Sequence, residues 1–448
     1  MTRATYLRPV VLTALLLCSV SRAFAQPAAP VEPAGEPQPE HQHEHDMSAM
    51  DMDMPMPKWH WMWDGVVFGG FNQQGSARGG KEFASQNWAM FMGQRGIGSG
   101  VFGVNAMVSL EPATLGVDGY REIFQHGEAL RGLPVVDRQH PHDAFMQLDA
   151  FWRQPIGKTS LILNGGPSSS AALGPLAFSH RISAAENPTA PLMHHTFDST
   201  HVTFGVVTAG VQRGWFLVEA SAFHGREPDW KRWGFNFGKF DSASARLTIR
   251  PNAQWSAQVS RGRLNEPEEL EPGDQIRTNA SVSYLKTRGN GRYTAFTVAT
   301  GRVTRTYSWT GGLLAEATHW IGDSAVYGRF EGTGLEVEHL MFPGVVHTPH
   351  PGELVDPIYA YTLGGVRRLW KKSGVDGAVG ADITSYTPPA RLVPYYGNHP
   401  VSTHVFFRIR PWKNAPIQMD RMTTMPMDMS MDHDMPLDHD MPMDHSQH

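Results

Sequence analysis

Residues 244–260 read SARLTIRPNAQWSAQVS, and this stretch decides the fold class. Before the Pro251-Asn252 pair, every second residue is polar and the residues between them are apolar. After that pair the alternation resumes, with Trp255, Ala257 and Val259 separated by polar residues. Because successive side chains of a strand point to opposite faces, the stretch predicts two strands joined by a tight turn. Each strand would have one apolar and one polar face.

The same alternation recurs along the middle of the chain, in segments 201–211, 214–223, 276–287, 291–302, 306–317, 324–331, 359–368, 374–384 and 402–410. Many of these segments have the length of about 9–11 residues that a tilted strand needs to cross a membrane. We count roughly 16 candidate strands, an even number as in bacterial outer-membrane barrels. The chain is therefore predicted to be all-β, with a transmembrane antiparallel β-barrel as its folded part.

A soluble β-sandwich also alternates, so the period alone leaves that alternative open. The barrel is favoured because short turns alternate with long segments such as 111–142, 165–200 and 332–358. Trp and Tyr also lie near the ends of apolar stretches, as in the aromatic girdles of barrels. An even number of strands would place both termini at the same, periplasmic, end. In the last strand we expect lipid-facing residues to alternate with lumen-facing residues: Val405, Phe407 and Ile409 against His404, Phe406, Arg408 and Arg410.

The N-terminus has the features of an export signal. Arg3 and Arg8 precede a short apolar stretch, and Ala23-Phe24-Ala25 provides the small residues of a cleavage site. The only cysteine, Cys18, lies inside this signal, so thiolate metal sites and disulfides are excluded from the mature chain. We divide the chain into a signal peptide (1–25), a disordered His/Met-rich arm (26–63), the barrel (64–412) and a disordered Met/Asp/His-rich tail (413–448).

The arm and the tail carry the candidate metal ligands. In the arm these are His41, His43, His45, Met47, Met50, Met52, Met54 and Met56. In the tail they are Met425, Met427, Met429, Met431, His433, Met435, His439, Met441, Met443 and His445. Thioether sulfur is a soft ligand that suits Cu(I), and imidazole also suits Cu(II). The pattern therefore predicts copper ions as the bound cofactor, with Cu(I) favoured over Cu(II).

Other interpretations of these segments stay open. Zinc or nickel would need only the His and Asp residues, and a low-complexity segment would bind nothing. Where the arm meets the barrel, Trp59-His60-Trp61-Met62-Trp63 is interpreted as an anchor at the membrane surface, with a Cu(I) site as the alternative.

A second group of polar residues lies in the predicted loops of the barrel. We hypothesise that five of them line the lumen or its mouth and contact a passing ion: His140, His142, Asp143, His194 and His195. Hydrogen bonding that only stabilises the lumen is the alternative for each of them.

An exported chain with a Met/His/Asp-rich arm before a barrel resembles the bacterial copper-resistance protein B group. The resemblance rests on Met47 to Met56 with His41, His43 and His45, and on barrel character over the middle of the chain. It implies an outer-membrane protein of a Gram-negative bacterium whose periplasmic arm captures copper for sequestration or efflux. The long tail departs from what that group leads us to expect.

Two other functions compete with copper resistance. A passive porin for an organic solute could carry arms that merely buffer metal. A barrel enzyme such as a lipase is disfavoured because the sequence has no G-x-S-x-G motif, and we predict no enzyme activity. The expected partners are outer-membrane lipids, copper ions and periplasmic copper carriers. A formal net charge of −5 gives no reason to expect nucleic-acid binding. The sequence leaves the oligomeric state undetermined.

Overall fold

The computed structural model describes residues 58–413 and 416. They form one closed antiparallel barrel of sixteen wall strands, which confirms the predicted fold class. The predicted signal peptide, residues 26–57 of the arm and almost all of the tail lie outside the described residues. All of the copper ligands predicted in the arm and the tail lie there too, so those predictions stay predictions.

Twenty-one strands build this part of the chain, seventeen of them in the main sheet. In chain order they are β1 (His60–Gln74), β2 (Gly80–Ala84), β3 (Asn87–Ile97), β4 (Gly100–Val108), β5 (Tyr120–Arg121), β6 (Glu128–Leu130), β7 (Leu133–Val135), β8 (Arg138–Gln139), β9 (Phe145–Ile156), β10 (Thr159–Ser169), β11 (Thr203–Arg213), β12 (Phe216–Phe223), β13 (Ser242–Ile249), β14 (Trp255–Leu264), β15 (Gln275–Thr287), β16 (Tyr293–Thr304), β17 (Trp309–Ile321), β18 (Ser324–Glu336), β19 (Val355–Lys372), β20 (Val375–Thr387) and β21 (Val401–Pro411). The pairs β5–β8 and β6–β7 form two small separate sheets.

The pairing closes the wall. Strands β2 and β3 act as one wall strand, because both pair with β1 in a single register: Gly70 lies opposite Ala84, and Val67 opposite Asn87. Each later wall strand pairs with the next in chain order, and β21 returns to β1. A closed wall leaves no unpaired edge, which the hydrocarbon interior of a membrane would penalise.

The two ends of the barrel differ in their connections. One end carries short turns such as 98–99, 157–158, 322–323 and 373–374, together with the start of β1 and the end of β21. Gly98 and Gly157 adopt φ of 59° and 57° in two of these turns, which suits the left-handed conformation of tight hairpins. The other end carries the long connections, including 109–144, 170–202 and 337–354. Both ends of the described wall therefore lie at the short-turn end, as the even strand count predicts.

The outer surface of the wall is apolar, as alternation predicts. On β21, Val405, Phe407 and Ile409 are exposed, whereas His404, Phe406 and Arg408 are buried inside. Along β19, Tyr361, Leu363 and Leu369 are exposed in the same way. A band of exposed large hydrophobic side chains on a closed wall is what a lipid bilayer requires.

Two long connections fold into the barrel, and we call them the first inner segment (109–144) and the second inner segment (170–202). The second carries Glu186, which is fully buried and paired with Arg408 and Arg410 of β21. Arg181 of the same segment reaches Glu316 on β17 at 2.7 Å. These contacts tie the segment to the inner wall by charge-assisted hydrogen bonds, so the lumen is packed with protein over this depth.

The helices are short and lie in the connections. The α-helices are α1 (Glu111–Thr114), α2 (His194–Phe197), α3 (Val337–Met341) and α4 (Val393–Tyr396). Single 3₁₀ turns occupy Phe178–His180, Ile182–Ala184 and Ser199–His201. Within the described part of the chain, no helix combines the length and the apolar character needed to cross a membrane.

The wall begins slightly earlier than the sequence indicated. The first strand starts at His60, inside the range assigned to the arm, because it pairs with β3 from that residue onward. Trp61 and Trp63 point outward and are 62% and 51% exposed, at the short-turn end of β1. Their position agrees with an aromatic anchor at the membrane surface.

Candidate functional site

The predicted lumen histidines meet where the two inner segments cross. His140 comes from the first inner segment, and His194 and His195 come from α2 of the second. The ring centroid of His140 lies 5.7 Å from that of His194 and 5.5 Å from that of His195. His140 is more than fifty positions from His194 and His195 in the chain, so the crossing of the two segments brings it to them.

Glu128 completes a candidate metal site with His140 and His195. One ligand atom from each of the three residues lies within 4.8 Å of the other two. The Nδ1–H of His140 donates to the carbonyl of Pro141 at 3.1 Å, because that carbonyl can only accept. The opposite nitrogen, Nε2, faces Glu128 Oε1 at 3.2 Å. In a neutral imidazole this places two acceptors face to face, an arrangement that a proton or a metal cation between them would satisfy.

The charge state of His140 favours the metal cation. Burial, followed by the positive charge of Arg232 and the neighbouring histidines, holds the pKa of His140 well below its usual range. Burial likewise lowers the pKa of His195. A neutral imidazole has a free lone pair, which is the form that binds metals.

Three histidines of this region, His142, His194 and His201, have one nitrogen fixed by an oxygen. His142 is 3.0 Å from Glu111 through Nδ1, His194 is 2.7 Å from Asp198, and His201 is 2.6 Å from the Asp198 carbonyl. Among the described residues, Nε2 of His142 and Nε2 of His201 have no hydrogen-bond partner although both are buried. Carboxylates and carbonyls hold metal-binding histidines in this way and fix their tautomer.

Asp143 forms an ion pair in the same region. Its carboxylate pairs with Arg232 at 3.2 Å, and Arg232 also pairs with Glu128 at 2.8 Å. Burial raises the pKa of Asp143 to about 6 although Arg232 opposes this change. The aspartate thus holds the arginine beside Glu128, and the carboxylate that does face the histidines is Glu128.

A methionine patch lies on the inner wall beside this cluster. Its members are Met62, Met90, Met92, Met107 and Met146, on β1, β3, β4 and β9. Register explains the cluster: Met62 lies opposite Met92, and Met90 opposite Met107. Apart from the half-buried Met62, their exposed fractions lie between 1% and 7%. The interior of a membrane barrel is normally polar, so inward-facing thioethers are unusual there.

Two cavities adjoin these groups. One of about 190 Å³ is bordered by Met90, Met92, Met107 and Met146 together with His180 and His201. Another, of about 110 Å³, extends from His140 and His142 to Asp64 and Lys413, near the ends of the described wall. Soft sulfur and imidazole ligands therefore border one internal space, and a second space leads from the histidines toward the short-turn end.

Sequence reasoning missed the methionine patch and Glu128. The pattern Met90-Phe91-Met92 does indicate two methionines on one face of a strand, but the pairing with Met62 and Met107 requires the strand register. Glu128 gave no signal, because its hairpin β6–β7 is short and one of its two histidine partners, His195, comes from the other inner segment.

Comparison with known proteins gives matches among solved structures. No known protein family and no curated protein matches the sequence. Among solved structures, an anion-selective porin from Comamonas acidovorans matches with a TM-score of 0.46 and 10% identity, over 79% of this chain and 100% of that chain. A loop-deletion mutant of OmpT, an outer membrane protein of Vibrio cholerae, matches with a TM-score of 0.47 and 8% identity, over 79% and 99%. At such low identity these similarities concern the fold, and they leave the solute undetermined.

Proposed function

We propose that this protein is an outer-membrane barrel that binds copper ions and passes them through its lumen. The observation that carries the proposal is the methionine patch, which borders one cavity together with His180 and His201. Thioether and imidazole groups in a site without thiolates are the ligands expected for Cu(I). The resemblance to the copper-resistance protein B group belongs to the same proposal.

The positions of the chain ends support a role for the arm and the tail. Both ends of the described wall lie at the short-turn end, and short turns face the periplasm in outer-membrane barrels. On this proposal the arm and the tail are periplasmic and exchange copper with periplasmic carriers. The cavity that reaches Asp64 and Lys413 opens toward the same end.

A passive porin is the second candidate function. The closed sixteen-strand wall, taken without the side chains on its inner face, fits a passive channel better than it fits copper binding. The inner segments would leave such a channel narrow, because buried ion pairs such as Arg181–Glu316 occupy the lumen. A passive channel needs no thioethers on its inner wall, and this difference separates the two functions.

The test replaces sulfur without changing shape. The full chain and a variant with Met90, Met92, Met107 and Met146 changed to leucine are placed in lipid vesicles. Leucine is close to methionine in volume and costs little packing energy, about 1.5 kcal/mol or less per site. We expect Cu(I) flux into chelator-loaded vesicles to fall roughly tenfold in the variant, a change equivalent to 1.4 kcal/mol. Swelling of the same vesicles in a neutral sugar serves as the control and should be unchanged.

Equal Cu(I) flux through both proteins would remove the copper proposal for the lumen. If vesicles with either protein also swell in the sugar, the two results together would support the passive porin. The arm and the tail need a separate measurement. Bound Cu(I) is counted anaerobically in the full chain and in a chain lacking 26–57 and 419–448. A fall of several ions per protein is expected if these segments bind copper.

A further inference from the structure

A second histidine–carboxylate cluster lies in the long connection 337–354, at the end of the barrel away from the short turns. It consists of Glu338, His347, His350 and Glu353, and one ligand atom from each lies within 4.8 Å of the other three. Neither the predicted copper ligands nor the lumen cluster includes any of these residues. We propose that this mouth cluster binds one divalent transition-metal cation of the Zn²⁺ or Cu²⁺ class.

The local sequence builds half of the cluster. Residues 350–353 read His-Pro-Gly-Glu, with Pro at the second position and Gly352 at φ of 93° in the third. This is the sequence of a type II turn, and the amide of Glu353 donates to the carbonyl of His350 at 3.3 Å. The turn brings the two side chains to the same place. Glu338 joins them from α3, where it follows the first residue of that helix.

The geometry suits a tetrahedral metal. Glu338 Oε2 is 3.0 Å from His350 Nε2 and 3.3 Å from His347 Nε2. His347 Nε2 also contacts Glu353 Oε1. Four ligands placed at the usual zinc distances would be about 3.3 Å from each other, so small movements would complete the shell. Carboxylate and imidazole are borderline ligands, which fits Zn²⁺ and Cu²⁺ and distinguishes this cluster from the thioether patch.

The orientation of His350 supports the same conclusion. Its Nδ1–H donates to the carbonyl of Pro351 at 3.2 Å, which leaves Nε2 with a lone pair toward Glu338. In a neutral His350, two acceptors face each other at 3.0 Å, and a proton or a metal cation between them satisfies both. This is the same arrangement as His140 and Glu128 show inside the lumen.

The two carboxylates of the cluster carry a negative charge that a dication would balance. With neutral imidazoles the two carboxylates carry a formal charge of minus two. Within residues 58–413, the ion pairs of Glu338 and Glu353 are all with His347 and His350, and no lysine or arginine neutralises them. Glu353 is only 3% exposed in its side chain, whereas His350 is 46% exposed. The cluster is therefore fixed on one side and open to solvent on the other, as an entry site requires.

A row of histidines leads inward from the cluster. The ring centroid of His347 is 4.9 Å from that of His339, and His339 is 5.4 Å from His126 of the first inner segment. His339 also forms a three-residue candidate site with Glu271 and Glu336. Both nitrogens of His126 are buried, and neither has a hydrogen-bond partner among the described residues. The mouth cluster thus adjoins groups able to pass a cation toward the lumen.

The experiment measures zinc binding to the full chain in detergent. Isothermal titration with Zn²⁺ is compared for the natural protein, a His347→Ala/His350→Ala double variant and a His399→Ala control. His399 is an exposed histidine in another connection at the same end of the barrel, and it belongs to no cluster. We expect the double variant to bind one Zn²⁺ fewer than the natural protein, and the control to bind the same number.

Anomalous diffraction at the zinc edge then places the ion in the natural protein. Density between Glu338, His347, His350 and Glu353 supports the proposal, and a crystal soaked in Zn²⁺ without density there overturns it. An unchanged stoichiometry in the double variant also overturns it. This experiment measures bound Zn²⁺ and leaves the methionines unchanged. Its result therefore does not depend on the outcome of the Cu(I) flux test of the lumen.

Discussion

The outer wall and the interior of this barrel are built from the same strands but by different rules. On β21, alternate residues meet lipid (Val405, Phe407 and Ile409) and the lumen (His404, Phe406 and Arg408). The lipid-facing residues need only to be apolar, so one large apolar side chain can replace another. The inner set is specified by partners far away in the chain, such as Glu186 for Arg408. A substitution outside changes a solvation energy, whereas a substitution inside breaks a particular set of contacts.

The histidines and carboxylates that could hold a metal ion lie mostly on the inner segments and the long connections. Among the described residues, histidines and carboxylates meet in three clusters, which are built from the inner segments, the connections 265–274 and 337–354 and the end of β18. Ion pairs with buried arginines hold the surrounding backbone in place, for example Arg232 between Glu128 and Asp143. The difference between wall and interior can be tested by the size of the stability change that each kind of substitution produces.

The largest effect is expected for Glu186→Gln. This carboxylate is fully buried and binds Arg408, Arg410 and the hydroxyl of Tyr293. Although burial alone would raise its pKa, the two arginines lower the pKa of Glu186 to about 2. Loss of one partner from a buried ion pair costs about 3–5 kcal/mol, because the remaining charges stay desolvated. Urea unfolding in lipid vesicles, followed by tryptophan fluorescence, measures the loss.

The matched control for this prediction is Glu269→Gln, an exposed residue of the connection 265–274. A surface substitution of this kind should change the free energy of unfolding by about 0.5 kcal/mol or less. If both variants unfold at the same urea concentration, the interior is not held by specific ion pairs.

An intermediate effect is expected for Leu363→Arg on the outer wall. Leu363 is 61% exposed and lies mid-strand on β19, opposite Gly328 and Ile383. A charged side chain near the middle of the bilayer costs about 2–4 kcal/mol in a barrel. The same unfolding assay applies, with Leu363→Ile as the control, which should cost less than about 1.5 kcal/mol. A neutral result for Leu363→Arg would show that this face does not meet lipid.

The smallest effect is a pH dependence caused by Glu122 in the first inner segment. Burial raises the pKa of Glu122 to about 8, although Arg329 opposes the change. The folded protein then holds a proton that the unfolded chain has lost. Stability from this group is therefore present at low pH and is lost as the pH rises through about 8. The loss between pH 7 and pH 8 should be about 1 kcal/mol.

Glu122→Gln removes the titrating group and keeps the size of the side chain. Urea unfolding at pH 7 and at pH 8 should show the decrease in the natural protein and a smaller one in the variant. Equal decreases in both proteins would assign the pH dependence to other groups.

The wall can be predicted from the sequence alone. Alternation in stretches such as 244–260 depends only on which face of a strand meets lipid, and that information is local. The sequence also predicted the orientation of the last strand, and that the described wall begins and ends at the same end of the barrel. Of the candidate lumen residues, it identified His140, His194 and His195 as a group, because paired histidines in long connections already suggest ligands.

Which side chains meet inside the barrel depends on the tertiary structure. The methionine patch depends on the register of β1, β3 and β4, and Glu128 reaches His195 only because the two inner segments cross. The pairing of Asp143 with Arg232 likewise joins residues that strand periodicity does not show to be neighbours. Contacts inside the barrel join residues that are far apart in the chain, and strand periodicity contains no information about which distant residue completes a pair.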